Sequence, residues 1–280
     1  MGYTNDTLAN QTILVTGGGT GLGRAMVESF HAAGAKVGIL GRRTGPLEET
    51  CAALGDRCAW ASADVKLPET IDAAITKMEA ELGPFTGLVN NAAGNFLVPA
   101  EDLSVGGWRS VMSIVLDGTF HCTQALGRRW IDRGEGGRVL NIVTTYAWMG
   151  SAFVLPSACA KAGVLAMTRS LAVEWATYGI RLNAIAPGPF PTEGAFSRLM
   201  PPHIQEEAKN AVPLKRFGRP EELAHLATYL MSDMAAYVNG ECVTIDGGEW
   251  LLSGQEFGRL THLPREQVKG VLAAMKPKKK

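Results

Sequence analysis

The sequence has little charge and few aromatic side chains. Only 19% of its 280 residues are charged and 7% are aromatic, and its 27 basic residues balance its 27 acidic ones. A chain without net charge has no overall field that draws it to nucleic acid or to an anionic membrane. We therefore expect neither partner. The basic tail, residues 276–280, is the local exception and is most simply a solvated terminus.

Long apolar runs and metal-type cysteine spacings are also missing. No run reaches the roughly 20 residues that a membrane-spanning helix needs, and the N-terminal stretch "MGYTNDTLANQ" lacks the apolar core of a signal peptide. The cysteines are odd in number and contain no CxxC pair. This pattern is typical of reduced thiols in a reducing compartment, so we expect a cytoplasmic protein without a metal site. The five are Cys51, Cys58, Cys122, Cys159 and Cys242.

Hydrophobic residues, at 46%, suffice for a substantial core. Short β-branched apolar runs alternate with longer helical patterns, which predicts a single α/β domain with a doubly wound, seven-stranded parallel sheet and helices on both faces. The predicted strands are 12–16, 36–40, 58–62, 87–92, 138–144, 180–187 and 242–246. The predicted helices are 21–33, one from about 46, 68–82, 105–130, 157–178 and 220–232.

The least regular stretch, residues 189–212, follows the sixth predicted strand. Sheets of this kind bind ligands at the carboxyl ends of their strands, and long connections there often close over a substrate. We therefore expect a substrate lid around residues 189–212.

A glycine-rich turn, "TGGGTGLG" at 16–23, separates the first predicted strand from the first predicted helix. Gly17 permits the tight turn, while Gly21 and Gly23 let the backbone and the helix approach a pyrophosphate. The helix N-terminus adds N–H donors and the positive end of the helix dipole. Glycines also mark ordinary turns, but this position between strand and helix favours dinucleotide binding.

The second predicted strand ends in "GRRT" and has no acidic residue there. An acid at this position commonly binds the ribose 2′-hydroxyl of NAD, whereas Arg42 and Arg43 suit a 2′-phosphate, so NADP(H) is expected. Asp64, after the third strand, is either an acceptor for the adenine amino group or a helix cap.

Four motifs occur in an order that resembles the short-chain dehydrogenase/reductase family over residues 8–249. They are "TGGGTGLG", "NNAAG" at 90–94, Lys161 and "PGP" at 187–189. The resemblance implies a Rossmann fold, a homotetramer and a nicotinamide cofactor. The implied cofactor-binding residues are Gly17, Gly19, Thr20, Gly21, Leu22, Gly23, Arg42, Arg43, Asp64, Asn91, Lys161, Pro187, Gly188, Pro189 and Phe190.

Two members of that family's usual proton relay are missing. The common carbonyl reductases have a proton-donating Tyr four residues before the Lys, where this chain has Ser157, and a relay Asn where it has Val115. Thr144 stands where the family's assisting serine lies. A serine hydroxyl is a far weaker acid than a phenol, so Ser157 is a poor substitute donor.

One branch of the family, the 2,4-dienoyl-CoA reductases, is similar to this combination phrase by phrase. The shared phrases are "NNAAGNF", "TTYA", "SACAKAG", "PGPFPTEGAFSRL" and "VNGECVTIDGG". The resemblance implies NADPH-dependent reduction of 2,4-dienoyl-CoA to 3-enoyl-CoA in auxiliary fatty-acid β-oxidation, with hydride delivered to C5 and a proton to C2. It implies the catalytic residues Tyr146 (the displaced acid), Lys161, Ser157, Asn95 and Thr144. It implies the CoA-binding residues Lys66, Phe96, Ser104 and Arg198.

Other interpretations stay open. Tyr146 is alternatively an aromatic cavity wall, Ser157 a helix N-cap, and the charges of Lys66 and Arg198 merely solvated. The enzyme is alternatively a carbonyl or 3-ketoacyl reductase with a rearranged relay. A protein of another class, a catalytically inactive NADPH-binding sensor, would also fit the glycine turn.

Overall fold

The computed structural model describes residues 4–192, 202–255 and 257–275. Within these residues, seven parallel strands form one sheet in the order β3-β2-β1-β4-β5-β6-β7. The predicted doubly wound parallel sheet is therefore confirmed. The strands are β1 Thr12–Thr16, β2 Lys36–Gly41, β3 Cys58–Ser62, β4 Gly87–Asn90, β5 Gly137–Ile142, β6 Ile180–Pro187 and β7 Cys242–Ile245.

Helices connect the strands. They are α1 Gly21–Ala32, α2 Thr44–Leu54, α3 Pro68–Leu82, α4 Val105–Met112, α5 Gly118–Arg133, α6 Tyr146–Met149, α7 Leu155–Glu174, α8 Pro202–Ala211, α9 Pro220–Met231, α10 Glu249–Ser253 and α11 Arg265–Ala274. No helix in the described ranges is both long enough and apolar enough to cross a membrane.

The core consists of apolar layers on both faces of the sheet. On one face, Phe30 of α1 and Leu230 of α9 pack against β1 and β2. On the other, Ile75 of α3 and Trp130 of α5 pack against the central strands, and Trp130 donates its indole N–H to the Phe85 carbonyl at 2.7 Å. Because the central strands are buried on both faces, they are rich in apolar residues, which made them predictable.

The strand order reverses between β1 and β4, which lie side by side at the centre of the sheet. Connections from these two strands leave in opposite directions and open a crevice at the carboxyl edge, where ligands bind in such sheets. The glycine turn follows β1, and "NNAAG" begins at the end of β4. Both motifs therefore meet at this crevice.

The predicted helix 105–130 contains a local change of winding. The backbone continues from α4 to α5 through Ser113–Asp117, which forms a π-helical turn. Gly118, just after it, lies so close to Val65 that a Cβ would come within 2.6 Å of the Val65 Cγ2 atom. A π-helical turn is often found at functional sites, and this one contains Val115, which is buried in an apolar cluster.

Two other expectations need correction. Residues 202–211, expected to be irregular, form α8, and 193–201 lie outside the described residues. The expectation of five free thiols is wrong for Cys51 and Cys58, which form a disulfide. The short turn Gly55–Arg57 between α2 and β3 brings their Cα atoms to 5.1 Å. Cys122, Cys159 and Cys242 are free.

Candidate active site

The glycine turn adopts a conformation that needs glycine at two positions. Gly17 has φ +67°, in the left-handed region that favours glycine. At Gly23, an added Cβ would lie 2.2 Å from the Gly17 carbonyl oxygen, so any side chain there would force the turn open. The backbone of Gly23, in the first turn of α1, therefore packs directly against the backbone of Gly17.

The N-terminus of α1 is free to receive an anion. Its N-cap residue, Thr20, makes no side-chain capping hydrogen bond, and the first turn contains no acidic residue. The unpaired N–H groups and the helix dipole favour a phosphate there. The predicted cradle of Gly19, Thr20, Gly21 and Leu22 thus lies at an anion-binding helix end.

Asn91 ties this turn to the neighbouring strand. Its Nδ2 donates to the Thr16 carbonyl at 3.0 Å, and the Thr16 hydroxyl accepts the Asn91 and Ala92 backbone N–H groups at 3.0 and 2.9 Å. These bonds fix the ends of β1 and β4 relative to each other. The predicted cofactor residue Asn91 is therefore part of the crevice wall.

Arg42 and Arg43 follow β2 at the same edge, and both are exposed. Neither has an ion-pair partner among the described residues, so both guanidinium groups are free to pair with a phosphate. β3 lies beside β2, with Gly41 opposite Ser62, so Asp64 is close to this end of the crevice.

Asp64 and Lys66 contact each other. Asp64 Oδ1 accepts the Lys66 backbone N–H at 3.1 Å, and its Oδ2 lies 3.3 Å from Lys66 Nζ. The interpretation of Asp64 as a helix cap is wrong, because Leu67 occupies the N-cap position of α3. Lys66 is half-exposed beside that carboxylate.

Three of the predicted catalytic side chains meet at the end of β5. The Tyr146 phenolic oxygen lies 3.0 Å from Ser157 Oγ, and Asn95 Nδ2 donates to the phenolic oxygen at 3.4 Å. Asn95 is itself held because its Oδ1 accepts the Phe96 backbone N–H at 2.9 Å. The structure therefore brings Tyr146, Ser157 and Asn95 together in one polar cluster.

Ser157 lies inside α7. The helix begins at Leu155 with Val154 as its N-cap, so the alternative interpretation of Ser157 as an N-cap is wrong. The side chain is 2% exposed and its hydroxyl is directed at Tyr146. Ser157 is therefore a hydrogen-bonding partner of Tyr146 in the polar cluster.

Lys161 lies one helical turn after Ser157 and is almost completely buried. Its ammonium donates to the Ile142 carbonyl at the end of β5. Burial lowers the pKa of Lys161 to about 8, because desolvation disfavours the charged form. An anion or hydroxyl acceptor bound beside it would offset that cost.

Thr144 carries a buried hydroxyl without a partner. Its Oγ1 has no hydrogen-bond partner among the described residues, although it lies two residues before Tyr146. A buried polar atom without a partner costs free energy, which a bound ligand at the site recovers. This hydroxyl, the free end of α1 and the two free arginines together fit a phosphorylated dinucleotide.

The "PGP" turn closes the crevice after β6. Gly188 donates its N–H to the Ile245 carbonyl at 3.0 Å and packs against Asp246, whose Cβ would lie 2.6 Å from a Cβ at Gly188. Pro187 and Pro189 flank it. The Phe190 side chain is buried in the core.

The predicted CoA-binding residues are less closely grouped. Phe96 is half-exposed beside Asn95. Ser104 is the N-cap of α4, where its Oγ accepts the Gly107 N–H at 3.0 Å. Arg198 lies outside the described residues. Of this set, the structure places Phe96 next to the Tyr146 cluster and gives Ser104 a capping role.

Sequence reasoning missed a buried polar network behind the site. Asn90 Nδ2 donates to Asn141 Oδ1 at 2.8 Å and to Thr123 Oγ1 at 2.9 Å, and Asn141 Nδ2 donates to Thr168 Oγ1 at 2.8 Å. The network links β4, β5, α5 and α7. Two asparagines within buried strands are the sequence signal that would have revealed it.

It also missed an aromatic pair. Trp148 of α6 and Trp250 of α10 meet edge to face, with ring centroids 5.5 Å apart and an interplanar angle of 83°. Trp148 lies two residues after Tyr146, so the pair attaches the same short helix to α10.

Several known proteins that are similar to this chain are named as reductases of enoyl or dienoyl thioesters. A family model described as enoyl-(acyl carrier protein) reductase matches residues 17–249. A Bacillus subtilis protein named probable 2,4-dienoyl-CoA reductase, (2E)-enoyl-CoA-producing, is 45% identical over 87% of this chain and 98% of its own length. A Caenorhabditis elegans protein named probable 2,4-dienoyl-CoA reductase 3, (3E)-enoyl-CoA-producing, is 40% identical over 91% of this chain and 84% of its own.

A solved structure is similar to this chain in both fold and sequence. The crystal structure of a short chain dehydrogenase from Bacillus anthracis superimposes with a TM-score of 0.80 at 46% identity, covering 87% of this chain and 98% of that one. At this identity, the likeness extends beyond the fold.

Proposed function

The chain belongs to the short-chain dehydrogenase/reductase family of oxidoreductases, and on that premise we propose that it reduces 2,4-dienoyl-CoA thioesters with NADPH. The observation that carries the proposal is the cluster at the end of β5. A phenol there, with Ser157 at 3.0 Å and Asn95 at 3.4 Å, replaces the acid that the common carbonyl reductases carry on the following helix.

NADPH, when bound, supplies the hydride. The residues proposed to hold its phosphates are the glycine turn, the free N-terminus of α1 and the exposed pair Arg42 and Arg43. Asp64 is proposed to accept from the adenine amino group. Lys161 and the unpartnered Thr144 hydroxyl are proposed to bind the nicotinamide end of the cofactor.

The reaction requires one hydride and one proton at carbons far apart. Hydride addition to C5 of the conjugated thioester moves electrons through C4, C3 and C2 to the thioester oxygen and gives a dienolate. Protonation at C2 then leaves the C3–C4 double bond and gives a 3-enoyl-CoA. The proton must therefore reach C2. In the common carbonyl reductases the tyrosine on the helix protonates an oxygen one bond from the carbon that accepts the hydride.

Tyr146 is proposed to donate this proton, and its neighbours hold the phenol. Asn95 donates a hydrogen bond to the phenolic oxygen, which stabilises the phenolate that remains after transfer. Ser157 donates or accepts at the same oxygen. Donors aimed at developing negative charge are often worth about 3 kcal/mol each in rate, which makes this pair a substantial part of the catalytic effect.

The product is the finer part of the proposal. Protonation of the same dienolate at C4 would re-form the C2–C3 double bond and give a 2-enoyl-CoA. The names of the relatives include both outcomes, a (2E)-enoyl product for the Bacillus protein and a (3E)-enoyl product for the worm protein. We propose the 3-enoyl product, with auxiliary fatty-acid β-oxidation as its setting.

The CoA moiety is proposed to lie across Phe96 and Lys66, with Arg198 on a lid at 189–212. Lys66 is half-exposed and pairs with Asp64 at 3.3 Å, so it would have to leave this carboxylate to bind a phosphate. A cytoplasmic location and a homotetramer complete the proposal as predictions.

The test is NADPH oxidation with 2,4-hexadienoyl-CoA, followed by identification of the product. We expect turnover to a 3-enoyl-CoA. Turnover of 3-ketoacyl-CoA in its place would support the carbonyl reductase alternative. Tight NADPH binding without turnover of either thioester would support the sensor alternative and contradict the proposal.

A further inference from the structure

Tyr146 lies on a very short structural element. α6 spans only Tyr146–Met149, and its N-cap, Thr145, makes no side-chain capping bond. One turn of helix is far below the length that is stable on its own. The backbone bonds that hold it, such as Gly150 N–H to the Tyr146 carbonyl at 3.0 Å, all lie within the turn itself.

The segment that follows α6 is largely exposed. Gly150 ends the helix with φ +72°, and Gly150, Ser151 and Ala152 are exposed. Phe153 is also exposed, at 60%, and its carbonyl accepts the Val98 N–H at 2.9 Å. The side chains of α6 add packing of their own, Ala147 in the apolar cluster and Trp148 against Trp250.

Trp148 points away from the phenol. Residues two apart on a helix differ in direction by about 200°, so Tyr146 and Trp148 extend from opposite sides of α6. This agrees with their contacts, because Tyr146 meets Ser157 of α7 whereas Trp148 meets Trp250 of α10. The two contacts hold the short helix from both sides.

Trp250 is itself firmly placed. Its backbone N–H donates to Asp246 Oδ2 at 2.9 Å, and Gly248 donates to the other oxygen at 2.8 Å. Asp246 is 9% exposed and packs against Gly188 of the "PGP" turn. A continuous series of contacts thus runs from the cofactor side of the crevice through Trp250 to Trp148.

We propose that the Trp148–Trp250 contact is a positioning pair, which holds α6 so that the Tyr146 phenol stays at Ser157 and Asn95. The proposal rests on the proposed function, because it assigns the pair an effect on proton donation by Tyr146. Moving the acid from a long helix to a single turn removes the rigidity that the long helix provides. The aromatic pair restores it.

The kinetic test is a double-mutant cycle measured with 2,4-hexadienoyl-CoA at saturating NADPH. Trp148→Ala and Trp250→Ala should each lower kcat by about two- to tenfold, the effect expected from losing one aromatic pair contact. Trp148→Phe should retain most of the activity. In the Tyr146→Phe background, Trp148→Ala should cause no further loss, because residual activity no longer uses the phenol.

Met149→Ala is the matched control. Met149 is on the same helix and is 46% exposed, close to the 38% of Trp148, and it has no ring contact. It should leave kcat unchanged. The NADPH dissociation constant and Tm of each variant show whether a loss of kcat reflects loss of folded protein.

A second measurement does not depend on turnover. Hydrogen exchange of the backbone amides of residues 147–150 should be faster in Trp250→Ala than in the unmodified protein, although Trp250 lies on another helix. If the unmodified protein reduces no dienoyl-CoA, the proposed function fails, whereas the exchange comparison still decides whether the pair holds α6. Unchanged exchange, or an equal loss of kcat in both Tyr146 backgrounds, would overturn the positioning role.

Discussion

The phenolic oxygen of Tyr146 lies 3.0 Å from the hydroxyl oxygen of Ser157, although the two residues are eleven positions apart in the chain. The contact joins the turn after β5 to the first turn of α7. Ser157 occupies the position from which a tyrosine would donate in the common carbonyl reductases, and here it contacts a tyrosine from the neighbouring element. In the proposed mechanism the acid has moved to Tyr146, while Lys161, one turn further along α7, keeps its position.

We predict that cofactor preference depends on Arg42 and Arg43. Both are exposed at the end of β2 and have no ion-pair partner among the described residues, so a 2′-phosphate is the expected partner. Replacing both with Ala should raise KM for NADPH by at least about tenfold, since a charge-assisted pair contributes about 1.5–3 kcal/mol, and should hardly affect NADH. Arg265→Ala, which removes an exposed arginine from α11, is the control. Equal use of both cofactors by the unmodified enzyme would contradict this prediction.

The glycine turn can be tested by adding a single methyl group. Gly23→Ala places a Cβ 2.2 Å from the Gly17 carbonyl oxygen, so the turn must open and NADPH binding should fall by at least about tenfold. Gly45→Ala in α2 is the matched control, because its Cβ would meet nothing within 4 Å. Fluorescence titration of NADPH checks both variants. Normal binding by Gly23→Ala would show that the turn does not hold the pyrophosphate.

The pH dependence of NADPH binding should follow Lys161. Burial lowers the pKa of Lys161 to about 8 in the free protein, and the ammonium form is the one proposed to bind the ribose. Affinity should therefore be constant below about pH 8 and weaken above it, by up to about tenfold per pH unit. Lys161→Met should bind more weakly at neutral pH and lose this dependence. A flat profile from pH 7 to about 9.5 for the unmodified protein would rule out the role.

The lowered pKa of Lys161 also makes the stability of the fold depend on pH. Stability should rise with pH over the range in which NADPH affinity falls. Because the pKa of Lys161 is lower in the folded chain than in the unfolded one, the unfolded chain binds more protons between the two values. The contribution of this residue to stability should therefore rise as the pH increases from about 8 towards the ordinary lysine value. The free energy of unfolding of the unmodified protein and of Lys161→Met over that range measures it.

The sheet could be predicted almost completely from the sequence. β1, β3, β6 and α3 have the predicted bounds. β1 is a short, fully buried run rich in β-branched residues, and α3 begins at a proline. The π-helical turn at Ser113–Asp117 was not predicted, because the sequence pattern of this stretch is that of one continuous helix. The Cys51–Cys58 disulfide was missed because spacing alone does not show that two elements meet.

The site was predictable only in part. Tyr146, Ser157 and Asn95 were expected together from the resemblance of their motifs, and the structure brings them within hydrogen-bonding distance. The Trp148–Trp250 pair was not, since 102 positions separate 148 from 250 in the numbering and no local pattern relates them. Contacts of this kind are determined by tertiary packing, which single-sequence patterns do not record.

The displaced acid is tested most directly by comparing kcat of Tyr146→Phe with kcat of Ser157→Ala, using 2,4-hexadienoyl-CoA at saturating NADPH. Tyr146→Phe removes one oxygen and little volume, so folding and NADPH affinity should persist while kcat falls by about a hundred- to ten-thousandfold, the usual effect of losing a general acid. Ser157→Ala should lower kcat less, because Ser157 holds the phenol and does not supply the proton. If Tyr146→Phe keeps most of its activity while Ser157→Ala is inactive, Tyr146 is not the proton donor.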